Sequence, residues 1–215
     1  MKIIEYGNNW LIEDQLDDEL LNDIKNFFDK NLEFLQPDKE EYSTTGDNAE
    51  QYWIEKPGKN PFYFRNKEYE DVERRFKEEI YGRLKAVSLL RTDNVQLHQN
   101  TAWTVISEEG SYHTLHTHGE GVNGVSVVLY LNVPDSKDHS NSIFLVLHTD
   151  PSSFFITNSC SSIVHIKPKV GKVLIFPYHI PHGTYPQTKG IRQTFNINYQ
   201  FSKELKELKS SLNYS

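Results

Sequence analysis

Arg192-Gln193-Thr194-Phe195-Asn196-Ile197-Asn198-Tyr199 decides how the chain is read. On a strand, successive side chains take opposite faces. Arg192, Thr194, Asn196 and Asn198 then share one face, while Ile191, Phe195, Ile197 and Tyr199 share the other. A strand with one greasy face and one face of Arg, Thr and Asn predicts a lining that is polar inside and packed outside.

Working outward, the same short β-rich runs recur from Asn94 onward, separated by Gly, Pro, Asn, Asp and Ser. Candidate strands are 95–99, 101–107, 111–118, 124–133, 142–148, 162–167, 171–176 and 190–201. Short strands at this spacing predict a sandwich or jelly roll, whose closure protects its edges. Before them the period is helical. Leu16, Leu20, Leu21, Ile24, Phe27, Phe28 and Leu35 recur behind Asp14, Asp17 and Asp18, which favour a helix N-terminus, and Pro37 ends the run. Residues 38–66 read as loop with short strand pieces. A second helix is expected over 67–88, with Tyr69, Val72, Phe76, Ile80, Leu84 and Val87 as its buried stripe. The expected fold is mainly β with N-terminal helices: a cupin-like double-stranded β-helix supported by two α-helices. One domain is expected over 1–215, with a helical support region at 1–92, the jelly-roll core at 93–201 and a C-terminal helix from 202.

Composition narrows the function. The net charge of −7, without a cluster of Lys and Arg, argues against nucleic acid as main partner. One cysteine, Cys160, permits no intrachain disulfide. The N-terminal residues turn polar too early for a signal sequence, and no apolar run approaches the roughly 20 residues that span a bilayer. A soluble, cytoplasmic protein is expected.

Five of the nine histidines fall in two clusters, His113, His116 and His118, then His179 and His182. Strand alternation puts His116 and His118 on one side, and a neighbouring strand ending near Pro177 can bring His182 to the same ion. Three imidazoles with open positions suit iron, zinc, copper or nickel, and a carboxylate in the set favours iron(II) oxygen chemistry. Two ligand sets fit: His116, His118 and His182, or His118 and Glu120 with His182. His113 comes two residues too early, on the wrong side of Leu115, and is expected as a supporting group behind the ligands. Trp103, Tyr112, the loop around Trp53 and residues 135–141 are candidates for the pocket mouth.

The frame around these clusters resembles two families. Gly110, His116-Thr117-His118, Gly171, Pro177 and His182 have the spacing of the two cupin motifs. Pro181-His182-Gly183-Thr184-Tyr185-Pro186, followed by Arg192 and Thr194, resembles the distal ligand and co-substrate strand of 2-oxoglutarate/iron(II) oxygenases. Tyr130-Leu131-Asn132 resembles a run of their prolyl-hydroxylase-like members. The resemblance covers about residues 95–201. It implies Fe(II) as metal and 2-oxoglutarate as co-substrate, with Arg192, Thr194 and Tyr130 binding the latter. The implied reaction is hydroxylation of an unidentified small molecule or protein side chain. The chain departs from the family's usual His-x-Asp or His-x-Glu pair in carrying His118; of the two ligand sets, the resemblance favours His116, His118 and His182, which Gly110 and Tyr130 frame better. His118 itself favours a three-histidine cupin dioxygenase working without 2-oxoglutarate, and a non-catalytic cupin-fold binding module is the alternative outside catalysis.

Overall fold

The computed structural model describes residues 1–6, 9–38, 49–58, 61–88, 90, 95–118, 123–135, 139–147 and 163–203. Its elements run β1 (Lys2–Tyr6), β2 (Asn9–Gln15), α1 (Asp18–Asn31), a 3-10 turn (Leu32–Phe34), β3 (Gln36–Pro37), β4 (Ala49–Lys56), β5 (Phe62–Tyr63) and α2 (Lys67–Leu84). They continue with β6 (Val95–Ser107), β7 (Gly124–Asn132), β8 (Ile143–Val146), β9 (Ile163–Ile166), β10 (Lys172–Pro177), β11 (His182–Thr184) and β12 (Arg192–Lys203).

The larger antiparallel sheet has the order β1-β2-β10-β7-β12-β6-β4-β3, with β5 on β4, and the smaller has the order β11-β8-β9. This is the jelly roll expected from the strand spacing, with two supporting helices. Both helices are capped from their own sequence. Asp17 accepts from the Leu20 N–H at 2.9 Å, and Asn66 accepts from the Tyr69 N–H at 2.7 Å, each satisfying an N–H that the first turn leaves without an intrahelical partner.

The alternation of β12 separates two interiors. Phe195, Ile197 and Tyr199 face the helices and join Phe28, Phe76 and Ile80 in one core. The Phe195 ring lies 5.2 Å from Phe28 and 5.7 Å from Phe76. On the other face, Arg192, Thr194, Asn196 and Asn198 look between the two sheets and line a cavity there. Leu145, Ile166, Leu174, Phe176 and Ile180 close off the same interior with a second apolar cluster.

Several expectations change. The first ninety residues are not only helical support, because β1 and β2 extend the large sheet through β10 and β4 pairs with β6. The first helix stops at Asn31, and the second at Leu84. The two strands expected at 95–99 and 101–107 are one, β6. Residues 111–118 form no regular strand and are held by single bridges to the chain around β11. Glu120, Cys160 and the expected C-terminal helix, beyond the end of β12 at Lys203, lie outside the described residues. No described helix is long and apolar enough to cross a membrane.

Candidate metal centre and anion pocket

His116 and His182 face each other in a two-way backbone bridge, each N–H donating to the other's carbonyl at 3.0 Å. The His118 N–H donates to the Tyr178 carbonyl at 3.0 Å, so His116 and His118 are both fixed to the chain that carries His182. Gly183 allows this approach. A Cβ there would stand 2.8 Å from the His113 carbonyl oxygen and 2.7 Å from the Phe144 ring, closer than real Cβ contacts come.

The ring centroids lie 4.3 Å (His116 to His182), 5.0 Å (His116 to His118) and 5.0 Å (His118 to His182) apart. One nitrogen of each ring comes within 4.8 Å of those of the other two, and no other such metal-binding group occurs among the described residues. An ion with metal–nitrogen bonds of about 2.1 Å spans at most about 4.2 Å between two ligands, so binding asks for a small closure of the rings. The ring hydrogen bonds fit that role. His116 Nδ1 meets the Thr114 carbonyl at 2.7 Å and His182 Nδ1 meets the Ile180 carbonyl at 2.9 Å. A carbonyl can only accept, so in both rings Nδ1 carries the proton and Nε2 keeps its lone pair. His118 Nε2 is buried with no hydrogen-bond partner.

Protonation is disfavoured throughout the cluster. Burial, aided by the neighbouring imidazoles, pushes His118 down to about 4 and holds His182 well below the usual histidine range. Burial also lowers His116. Neutral rings are what a divalent cation needs, and His116 and His182 present free Nε2 lone pairs.

The far end of the cavity is built around Arg192, only 2% exposed. It donates to the Asn141 carbonyl at 3.0 Å, with longer contacts to Ser107 Oγ at 3.4 Å and Thr184 Oγ1 at 3.5 Å. Among the described residues no carboxylate pairs with it. Burial draws its pKa down, yet a guanidinium stays charged. A buried cation left to carbonyl and hydroxyl oxygens is costly, and an anion in the cavity removes that cost. Tyr130 is 1% exposed on the same wall, opposite Thr194 in the sheet register. Its phenol is pushed up to about 12 by burial and keeps its proton.

The structure thus brings His116, His118, His182, Arg192, Thr194 and Tyr130 around one cavity. Trp103 is there too, stacked on His118 at 5.8 Å. Tyr112 is 43% exposed and is not among the cavity-lining residues. His113 stands beside His116, ring centroids 5.9 Å apart, and also lines the cavity, with its pKa pushed down to about 3 by burial and by the Arg192 charge. The sequence reading also missed Asn141, whose left-handed backbone (φ 67°) is a conformation Asn tolerates but no sequence period reveals.

Residues 101–198 match the family described as "Putative 2OG-Fe(II) oxygenase". No curated protein matches the chain in sequence. Among solved structures, the chain is similar to an oxidoreductase of the 2OG-Fe(II) oxygenase family from Burkholderia pseudomallei, with TM-score 0.61 and 11% identity over 90% of this chain and 84% of that one. A prolyl-4-hydroxylase from Pseudomonas putida gives 0.58 and 15% over 89% and 92%. HygX from Streptomyces hygroscopicus, solved with nickel and 2-oxoglutarate bound, gives 0.56 and 13% over 88% and 82%. The matched segment holds both histidine clusters, Tyr130 and Arg192, so the site residues fall within the part of the chain that is similar to the 2-oxoglutarate/iron(II) oxygenase family, and the solved structures share its jelly-roll fold.

Proposed function

We propose that the protein is an iron(II)- and 2-oxoglutarate-dependent dioxygenase that hydroxylates a small molecule or a protein side chain. One observation carries this reading. A buried Arg192, with no carboxylate partner among the described residues, opens onto the same cavity as three neutral imidazoles, so a cation and a dicarboxylate have complementary places in one pocket.

His116, His118 and His182 hold the iron in this reading. The bound metal, with 2-oxoglutarate and dioxygen, supplies oxidative decarboxylation to succinate and carbon dioxide coupled to hydroxylation of a C–H bond. The rest is placement by the chain. Arg192 grips the far carboxylate in the manner that suits a guanidinium fork. The Asn196 amide donates to Thr194 Oγ1 at 3.0 Å, which leaves the Thr194 proton free to point at that carboxylate. Tyr130 keeps its proton and serves as a second donor. Trp103, Asn196 and Asn198 border the remaining part of the cavity, the side left for the substrate.

The test is anaerobic titration of the iron(II)-loaded protein with 2-oxoglutarate, following the visible charge-transfer band of a chelated keto acid in wild type and in Arg192→Ala. The expected result is a band in wild type that needs far more 2-oxoglutarate in the variant. Iron binding without any band would sink the 2-oxoglutarate reading. It would favour the three-histidine dioxygenase, for which the imidazole at position 118 in place of a carboxylate is the specific support.

A further inference from the structure

Of the three imidazoles, His118 alone is held by a side chain. The Asn198 carboxamide lies at 2.8 Å from His118 Nδ1, with its nitrogen toward the ring. In that pose the amide donates, so Nδ1 is the acceptor and the ring proton belongs on Nε2. A protonated Nε2 cannot ligate a metal. Two buried atoms are left over by the same arrangement: His118 Nε2 and Asn198 Oδ1 have no hydrogen-bond partner.

One rotation resolves both. Turning the carboxamide by half a revolution about Cβ–Cγ exchanges two atoms of nearly equal size and puts Oδ1 against Nδ1. The ring proton then moves to Nδ1, as in His116 and His182, and Nε2 presents a lone pair to the shared centre. The displaced amide N–H also finds company. Asn198 pairs across the sheet with Thr101 on one side and Ser126 on the other, and the hydroxyl oxygens of both are buried without partners. Directly opposed side chains in a sheet stand about 4.5–5.5 Å apart at Cβ, within reach of an amide.

We propose that Asn198 is the positioning residue of the third imidazole, its carboxamide oxygen accepting from His118 Nδ1–H so that the Nε2 lone pair faces the centre shared with His116 and His182. The proposal rests on the reading of His116, His118 and His182 as the metal ligands. Asn suits this because a carboxamide offers both a donor and an acceptor from one position. Aspartate offers only the acceptor, and leucine offers neither at similar volume.

Two measurements on the full chain decide it. Long-range imidazole nitrogen NMR on histidine-labelled, Zn(II)-loaded protein is expected to show His116, His118 and His182 all as the Nδ1–H form. A His118 in the Nε2–H form there would overturn the positioning role. Zn(II) affinity, read by competition with a chromophoric chelator, is expected to fall about ten- to hundredfold in Asn198→Leu. Asn198→Asp is expected to bind at least as tightly as wild type, which a merely structural role for Asn198 would not produce. Wild-type affinity in a folded Asn198→Leu would refute the positioning role. If that variant does not fold, a Zn(II) affinity in Asn198→Asp well below wild type would do the same. Wild-type protein that binds no Zn(II) would remove the metal-centre reading itself, and this inference with it.

Discussion

The Arg192 guanidinium donates to the main-chain carbonyl of Asn141 at 3.0 Å, and Asn141 turns that carbonyl with a backbone φ of 67°. Asn141 is fully buried and is held in place by Thr188, whose N–H donates to Asn141 Oδ1 at 2.8 Å and whose hydroxyl accepts from Asn141 Nδ2 at 2.9 Å. An oxygen dipole therefore supports the cation without neutralising it.

Arg192→Met should separate ligand binding from folding. Removing the charge relieves an uncompensated buried cation, worth several kcal/mol by the usual desolvation cost. The carbonyl it leaves without a donor costs about 1–3 kcal/mol. The ligand-free variant is therefore expected to be at least as stable as wild type in urea. In the presence of Zn(II), 2-oxoglutarate at a hundred times its Kd should stabilise wild type by about 2.7 kcal/mol and the variant hardly at all. A variant that loses stability yet keeps the 2-oxoglutarate shift would contradict the anion-pocket assignment.

Asn141 predicts an inversion of the usual order of small substitutions. Left-handed backbone costs an L-residue with a Cβ roughly 1–2 kcal/mol, and glycine nearly nothing. Both Asn141→Ala and Asn141→Gly lose the two Thr188 bonds, but glycine keeps the carbonyl's direction at lower cost. Asn141→Gly should bind 2-oxoglutarate more tightly than Asn141→Ala and melt higher. Equal behaviour of the two would mean that the turn does not position the guanidinium.

Strand periodicity made β12 and its polar face legible, because Arg192, Thr194, Asn196 and Asn198 alternate cleanly with Phe195, Ile197 and Tyr199. The histidine clusters were legible as spacing. β1 and β2 were not, since a short strand is specified by its partner, and β2 pairs with β10 far along the chain. The place of His113 in the cavity wall was hidden for a related reason, since 111–118 is an extended tether bonded to the chain around β11, where residue parity no longer fixes direction. Asn198 was visible as a polar residue on the right face, while its contact with His118 depends on how that tether crosses the sheet.

Acidification should destabilise the metal-free protein in a definite window. His113, His116, His118 and His182 all have their pKa values lowered from 6.5, with His118 near 4 and His113 near 3. Below about pH 6.5 the unfolded chain takes up protons at these sites and the folded protein does not. Stability therefore falls as pH drops from about 6.5 toward 4, and is flat with respect to these groups above that range. Urea midpoints of metal-free protein measured from pH 8 to pH 4.5 should follow this course. Zn(II) should raise stability at pH 8, with the gain shrinking on acidification because protons compete for the same nitrogens. Stability that rises on acidification would mean the imidazoles are charged in the folded state.

Trp103 gives an optical report on the same centre. Its ring stacks on His118 at 5.8 Å with an interplanar angle of 23°, and Trp53 lies a further 5.4 Å along. Trp10, the third tryptophan, is 3% exposed and packs in the helix-side core instead. A paramagnetic ion bound to His118 sits close enough to Trp103 to quench its emission at short range, and Trp53 less so. Ni(II) titration should therefore lower tryptophan fluorescence saturably. Trp103→Phe should remove most of the fractional quench and Trp53→Phe a smaller part, while Trp10→Phe should preserve it or raise the fraction by removing unquenched background. Quenching of Trp103→Phe to the wild-type fraction would place the bound ion away from His118, and with it the site of any chemistry away from the cavity that Arg192 shares.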